Sequence, residues 1–539
     1  MAIGRISVSN GRMRRATLIG IGAVSVLVSA CAARKPSPAL IAELGRAETL
    51  VSEGCFQCLQ EALKIYERLA VVPNGPSGAQ RGAFESALLL ALRAKELGLP
   101  EDAWLQRAHT WAAHAMAAPK PAAPSATVDL PTDAYFTAVP LLMGETSGYS
   151  PDDRERRNRE RAALWPRDGT PLPARTVLAP AIASDFLADY LALSLDCEDA
   201  RARKDLKRDE ILARRATPLM RFRLAICGFA PDQFAILAKE DPRWLETAFF
   251  NGRVEMARYP TPDVGKAAEY FTTAHEAFPE STAMTLALAN ARNALTEYEI
   301  ALALYDSVLS GNPTHRDALL GRIMSLSYLS RYYDAIAAAT KMIDLGTYHM
   351  GDAYYWRAWN RYNVHELDAA WDDVEHATKL MVNTSVYSLA GYIAYARTEL
   401  DTAIDRFVQA FKLDKTNCEA VNAEALVHID KQSWALAGAR FATSIGCFAE
   451  AAEQGKRDLA RAESADSTPA AKARKIATLR KQIETSEHRR AQAAFNAASS
   501  FARLGQKADA LSYIDIAIEH PLLKEKATAL KGSIEKLPE

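Results

Sequence analysis

The chain has 539 residues, of which 49% are hydrophobic, with 65 lysines and arginines against 66 aspartates and glutamates. That composition is globular and rich enough in apolar residues to bury extensive cores. The even charge balance gives no general electrostatic reason to bind nucleic acid, so that class of partner drops out.

The first thirty residues are not expected to belong to the fold. Arg5, Arg12, Arg14 and Arg15 precede "ATLIGIGAVSVLVSA", an uncharged run of fifteen residues, and then Cys31. A basic stretch, an apolar stretch and small residues before a cut site make a secretory signal. The run is shorter than the roughly 20 apolar residues of a membrane span. Met13 is a second candidate start, because "MRRATLIG" opens a compact signal of ordinary length. "LVSAC" resembles a bacterial lipobox, which implies cleavage before Cys31 and its acylation, with palmitate among the chains. Ala32 after Cys31, in place of aspartate, implies sorting to an outer membrane, facing the periplasm. Several acyl chains make such an anchor stable where one does not. Loss of residues 1–30 leaves 61 basic against 66 acidic residues.

Residues 31–118 are predicted to form helical hairpins. Ala62, Tyr66 and Leu69 share the spacing of small and bulky residues seen downstream, and Ala91 lies twelve before Ala103. Residues 119–180 hold ten of the 25 prolines, which excludes long helices and predicts a linker or irregular segment. Helical patterning resumes less regularly over 181–245.

From 246 to 446 the chain repeats. An alanine, a bulky residue four later and a small residue three after that recur at Ala267, Ala301, Ala335, Ala370, Ala403 and Ala437, at steps of 33 to 35 residues. Twelve before most of them lies another small residue: Ala289, Ala358, Gly391, Ala425 and Ala498. Ile323 departs from that pattern, as Ala339 and Val374 do from the aromatic. The spacing predicts two antiparallel helices per unit, with small residues letting the backbones approach. It resembles tetratricopeptide repeats, over 246–446 and again over 493–539, where Ala510 opens the last unit. The predicted fold is thus all-α, a solenoid of antiparallel helix pairs interrupted by a Pro-rich segment. Residues 447–492 form a charged helical insertion; within it 472–490 carry seven Lys/Arg against two acids. That stretch reads either as elongated, solvated helices or as a basic arm for an acidic partner or anionic headgroups.

Six cysteines remain beside Cys31, and an exported chain meets disulfide-forming conditions. They fall into neighbours: Cys55 with Cys58, Cys197 with Cys227, and Cys418 with Cys447. Cys418 opens the first helix of its hairpin and Cys447 closes the second, so antiparallel packing brings them together. Cys55 and Cys58 read as a local structural disulfide, with disulfide exchange as the alternative. The ten histidines are scattered without metal-ligand spacing, and no phosphate loop, nucleophile elbow or dinucleotide fingerprint is present. No catalytic residue, metal or cofactor is therefore assigned, and no enzyme is expected.

Five aromatics crowd nine positions in "YYWRAWNRY", from Tyr354 to Tyr362. In tetratricopeptide arrays the first helices line a concave groove. The resemblance therefore puts Tyr355, Trp359 and Tyr362 on that face, joined by Met324 before and Tyr392 and Tyr395 after; Tyr354 and Arg361 fall at buried positions. The expected function is a membrane-anchored scaffold or adaptor for a protein or peptide of the cell envelope. The alternative is a ligand-binding accessory lipoprotein of a solute transporter.

Overall fold

A computed structural model describes residues 35–76, 78–117, 216–228, 230–258, 262–346, 350–464 and 469–538, with Leu187, Tyr190, Leu193 and Ser194. The expected signal at 1–30, Cys31, the Pro-rich segment and Cys197 lie outside the described residues. Those residues form twenty-one helices and no strand. Among them no helix is long and apolar enough to cross a membrane.

Helices α1 (Pro38–Glu53), α2 (Phe56–Val71), α3 (Ala79–Glu96) and α4 (Asp102–Ala117) pack in sequence as antiparallel neighbours. Three shorter helices follow: α5 (Pro218–Ile226), α6 (Gln233–Glu240) and α7 (Thr247–Met256). One apolar core runs from Ala47 through Leu219 to Ala291, so the N-terminal hairpins and the first repeat share an interior. Phe56 meets Phe278 edge-on at 5.9 Å, and Gly98 accepts a hydrogen bond from the Thr282 amide. The alanine register assigned to α4 is not used. Ala103 is exposed and Ala108 is buried, because Pro100 delays the helix and turns a different face inward.

The regular array begins with α7 and α8 (Val264–Ala277), then continues as α9 (Thr282–Ala294), α10 (Tyr298–Gly311), α11 (Arg316–Tyr328) and α12 (Tyr332–Asp344). It goes on through α13 (Met350–Asn363), α14 (Leu367–Leu380), α15 (Thr384–Ala396), α16 (Leu400–Leu413), α17 (Cys418–Asp430) and α18 (Trp434–Ser464). The array ends with α19 (Pro469–Arg503), α20 (Lys507–Ile518) and α21 (Lys524–Ile534). Helices α18 and α19 run without a break through positions 446/447 and 492/493, so the charged insertion is a lengthening of two repeat helices.

The anchoring alanines sit where helices touch. Ala267, Ala301, Ala335, Ala370, Ala403, Ala437 and Ala510 have no exposed surface. Five residues before each of the last six lies the hinge of the hairpin: Thr296, Ser330, His365, Thr398, Gln432 and Gly505 all have φ between 56° and 74°. The residue after each hinge reaches back to the preceding helix, as in Glu297 N–H to Arg292 C=O and Glu399 N–H to Ala394 C=O. This left-handed closure satisfies otherwise orphaned carbonyls. Neighbouring units are tied by polar caps: the Asn417 side chain caps α17 through the Ala420 amide and donates to Thr384 and Ser388 of α15.

First helices of successive repeats also touch one another, α9 to α11, α11 to α13 and α13 to α15, whereas successive second helices do not pack as closely. The array therefore curves with its first helices inside.

Candidate functional site

The aromatic run lies on α13, a first helix, and the structure divides it by depth. Trp356 is 9% exposed and belongs to the core of the preceding repeat. Tyr355 and Trp359 are half-buried and bridge two cores, that of α11 and α12 and that of α13 to α15. Tyr362 is half-buried against the second of these. Tyr392 is half-buried on α15 with Phe407 edge-on at 5.0 Å, and Tyr362 is near enough to bear on its phenol. Tyr395 is exposed and donates a hydrogen bond to Asp430 of the next repeat. Met324 packs on the α11–α12 core beside them. Burial pushes the Tyr355 and Tyr392 phenols up to about 12, and the hydrogen bond to Asp430 does the same for Tyr395. All three stay neutral donors at physiological pH.

Part of this surface was not picked out by spacing along the chain. Tyr298 stacks on Tyr328 at 4.8 Å, and Tyr328 in turn meets Trp356 at 5.6 Å and Trp359 at 6.4 Å. Tyr332 closes on Trp359 at 5.9 Å. The face is therefore a continuous aromatic ladder from α10 to α13, and Tyr328 leaves 48% of its surface exposed. A signal existed: Tyr298, Tyr332 and Trp434 each stand three residues before an anchoring alanine.

A buried charge stiffens the same hairpin. Asp373 of α14 is 2% exposed and accepts from Arg357 Nε at 2.9 Å, Arg357 Nη2 at 2.7 Å and Arg361 Nη1 at 2.7 Å. The fork on Arg357 is bidentate, a geometry that fixes both helices. Arg361 is half-buried rather than buried, held against Asp373. Tyr354, half-buried, stacks on His376 at 5.0 Å.

The close packing between helices identifies the repeat. A Cβ added at Gly391 would lie 2.6 Å from the Phe407 ring, and one at Gly321 would lie 2.2 Å from Tyr305. Gly391 thus admits the second helix of its own hairpin, whereas Gly321 admits Tyr305 of the preceding repeat, and Ile323 stays at the position twelve before Ala335. Small residues on the first helix, an aromatic four after the anchoring alanine and a left-handed hinge recur with a 34-residue step. In these features the repeats resemble tetratricopeptide repeats. No family model and no curated protein matches the chain. Among solved structures it is similar to YrrB, described as a TPR protein with an unusual peptide-binding site, at 22% identity over 33% of this chain and 93% of that one, with a TM-score of 0.28. It is also similar to TTC0263, a thermophilic TPR protein of Thermus thermophilus, at 14% identity over 34% and 98%, TM-score 0.30. The C-terminal part of a TPR protein from Cytophaga hutchinsonii aligns at 15% identity over 54% and 99%, TM-score 0.37.

The other sequence candidates fall elsewhere in the solenoid. Cys418 and Cys447 are bonded, with Cα atoms 5.4 Å apart, and join the start of α17 to α18. Cys55 and Cys58 are bonded at the start of α2 and are 0% and 1% exposed. Thiol exchange needs a thiolate to reach a sulfur, and burial on this scale shields both. Cys227 is disulfide-bonded as well. Glu53, Cys58 and Asp241 gather their ligand atoms within 4.8 Å. Cys58 is spent in its disulfide and Arg243 occupies both carboxylates, so the set does not suit a cation.

A second charged cluster lies in the N-terminal core. Arg93 and Glu246, both 0% exposed, pair at 2.8 Å, Arg223 pairs with Glu96 at 2.8 Å, and Tyr190 donates to Glu96 at 2.8 Å. The Arg93 guanidinium lies 3.9 Å from the Phe222 ring centre. Two cations meet two anions, so the cluster neutralises itself. It joins α3, α5 and the start of α7, which are far apart in sequence.

Proposed function

We propose that this protein is an exported, lipid-anchored scaffold that holds a protein or peptide segment of the cell envelope against the inner face of its repeats. The single observation that carries this reading is the aromatic ladder from Tyr298 to Trp359, continued along the inner face by Tyr392 and Tyr395 of the next first helix and left partly exposed at Tyr328 and Tyr395. Aromatic side chains supply large contact area and dominate binding hot spots, and exposed apolar patches of this extent mark interaction sites. The anchor rests on Cys31 and the segment before it, which supports attachment to the periplasmic side of an outer membrane.

Capture from detergent extracts tests the reading. Tyr328→Ala with Tyr395→Ala removes the two most exposed rings and leaves the buried Trp356 in place. Each hot-spot ring typically costs at least about 2 kcal/mol, roughly thirtyfold in affinity, so a partner held by wild type is expected to be lost. Undiminished capture of the same partner by the double variant refutes the aromatic face. A small molecule released on denaturation, with no protein captured, would favour the transporter-accessory role. Cys31→Ser is expected to abolish fatty-acid labelling and release the chain from membranes.

A further inference from the structure

In a solenoid each repeat touches only its neighbours, so distant repeats are coupled only through everything between them. One contact in this chain departs from that pattern. Helix α19 packs against α8, with five repeats intervening, and Arg474 of α19 pairs with Glu269 of α8 at 3.7 Å.

The contact is made by a built arm. Past residue 447, α18 leaves its repeat and is met by the first half of α19, forming an antiparallel hairpin. Lys456 bridges to Glu487 at 3.1 Å, and Arg480 lies 3.5 Å from Glu463. At Gly455 the absence of a side chain lets Ile483 approach, since an added Cβ would sit 2.7 Å from its Cγ1. Leu479 is only 4% exposed, although charged residues surround it in sequence. The root is fixed twice to the first turn of α17. Cys418 is bonded to Cys447 of α18, and Glu419 pairs with Arg489 of α19 at 3.3 Å.

We propose that this hairpin is a clasp. It is rooted in the sixth repeat by the Cys418–Cys447 bond and seated on α8, so that it closes the solenoid on itself and fixes the spacing between the first and sixth repeats. The basic stretch 472–490 thereby serves acids of its own chain, Glu269 and Glu419. The exposed ion pairs hold weakly one by one; the covalent root and the buried Leu479 keep the arm itself formed, and the helix contact with α8 seats it. The curvature of the aromatic face follows from where the clasp seats.

The test compares the full chain with two variants. In one, residues 456–486 are replaced by a short glycine–serine turn; in the other, Leu479→Asp keeps the arm but opposes its burial. Hydrogen exchange is read peptide by peptide, with the radius of gyration from small-angle scattering. Both variants are expected to speed exchange in α8 by about tenfold, to leave α13 to α16 unchanged, and to raise the radius of gyration. Reduction of wild type with dithiothreitol should shift α8 in the same direction by a smaller factor. Unchanged exchange in α8 together with an unchanged scattering profile overturns the clasp. If the arm deletion also strips protection from α13 to α16, Leu479→Asp decides by the same criteria.

Discussion

Two glycines in repeat helices should respond to the same substitution with opposite signs. Gly391 of α15 faces the Phe407 ring, and a Cβ there would lie 2.6 Å from Cδ1 and Cε1. Phe407 is 0% exposed and is held edge-on by Tyr392 at 5.0 Å, so the ring cannot swing clear without moving a second aromatic. Overpacking of this kind costs about 1–3 kcal/mol, while alanine recovers about 1 kcal/mol of helix propensity over glycine. Gly391→Ala should thus destabilise the chain by up to about 2 kcal/mol. Gly446 of α18 has nothing within 4 Å of its would-be Cβ, so Gly446→Ala should stabilise by about 1 kcal/mol. Urea unfolding of both variants beside wild type gives the comparison. Phe407→Leu combined with Gly391→Ala should return part of the loss, because leucine withdraws the clashing ring edge. If Gly391→Ala raises the midpoint as Gly446→Ala does, the tight contact on which the repeat assignment rests is wrong.

Thr398 holds φ at 64° with a β-branched side chain, a conformation that costs an L-residue roughly 1–2 kcal/mol. Thr398→Gly should raise the thermal midpoint, with a net gain of about 0.5–1 kcal/mol after the entropy of glycine is counted; a lowered midpoint would show the threonine is unstrained. His428 has its pKa lowered from 6.5 by burial first, then by the positive charges of Arg440 and Lys431, while Glu424 lies 3.7 Å away. Its neutral form is favoured in the fold, so this stability is fully present above the unfolded pKa and is lost as pH falls through the depressed one. Thermal melts between pH 7.5 and 5 should therefore decline toward acid, and His428→Gln should flatten the decline; an unaltered slope in the variant would remove His428 from the account.

The repeat was legible in the sequence because its requirement is local. Wherever two helices of a hairpin cross, only a small side chain fits, and that need recurs at a fixed step, so Ala267 to Ala437 mark the register without coordinates. The Cys418–Cys447 pair followed from the same hairpin geometry. Depth within the aromatic run was not legible, since Trp356 and Trp359 differ by less than one helical turn, and which of them is covered depends on Tyr328 and Tyr332 of the neighbouring unit. The sequence also offered no sign that Ser330, His365 or Gln432 would take a left-handed hinge usually given to glycine; the closing hydrogen bonds and the packed hairpin impose it. Only the tertiary structure joined α3 to α7 through Arg93 and Glu246, or seated α19 on α8. Those contacts link residues more than 150 and more than 200 positions apart, and no periodic pattern encodes them. Spacing along a chain reports the contacts that repeat with it, whereas contacts made once depend on where the whole superhelix has brought the two surfaces.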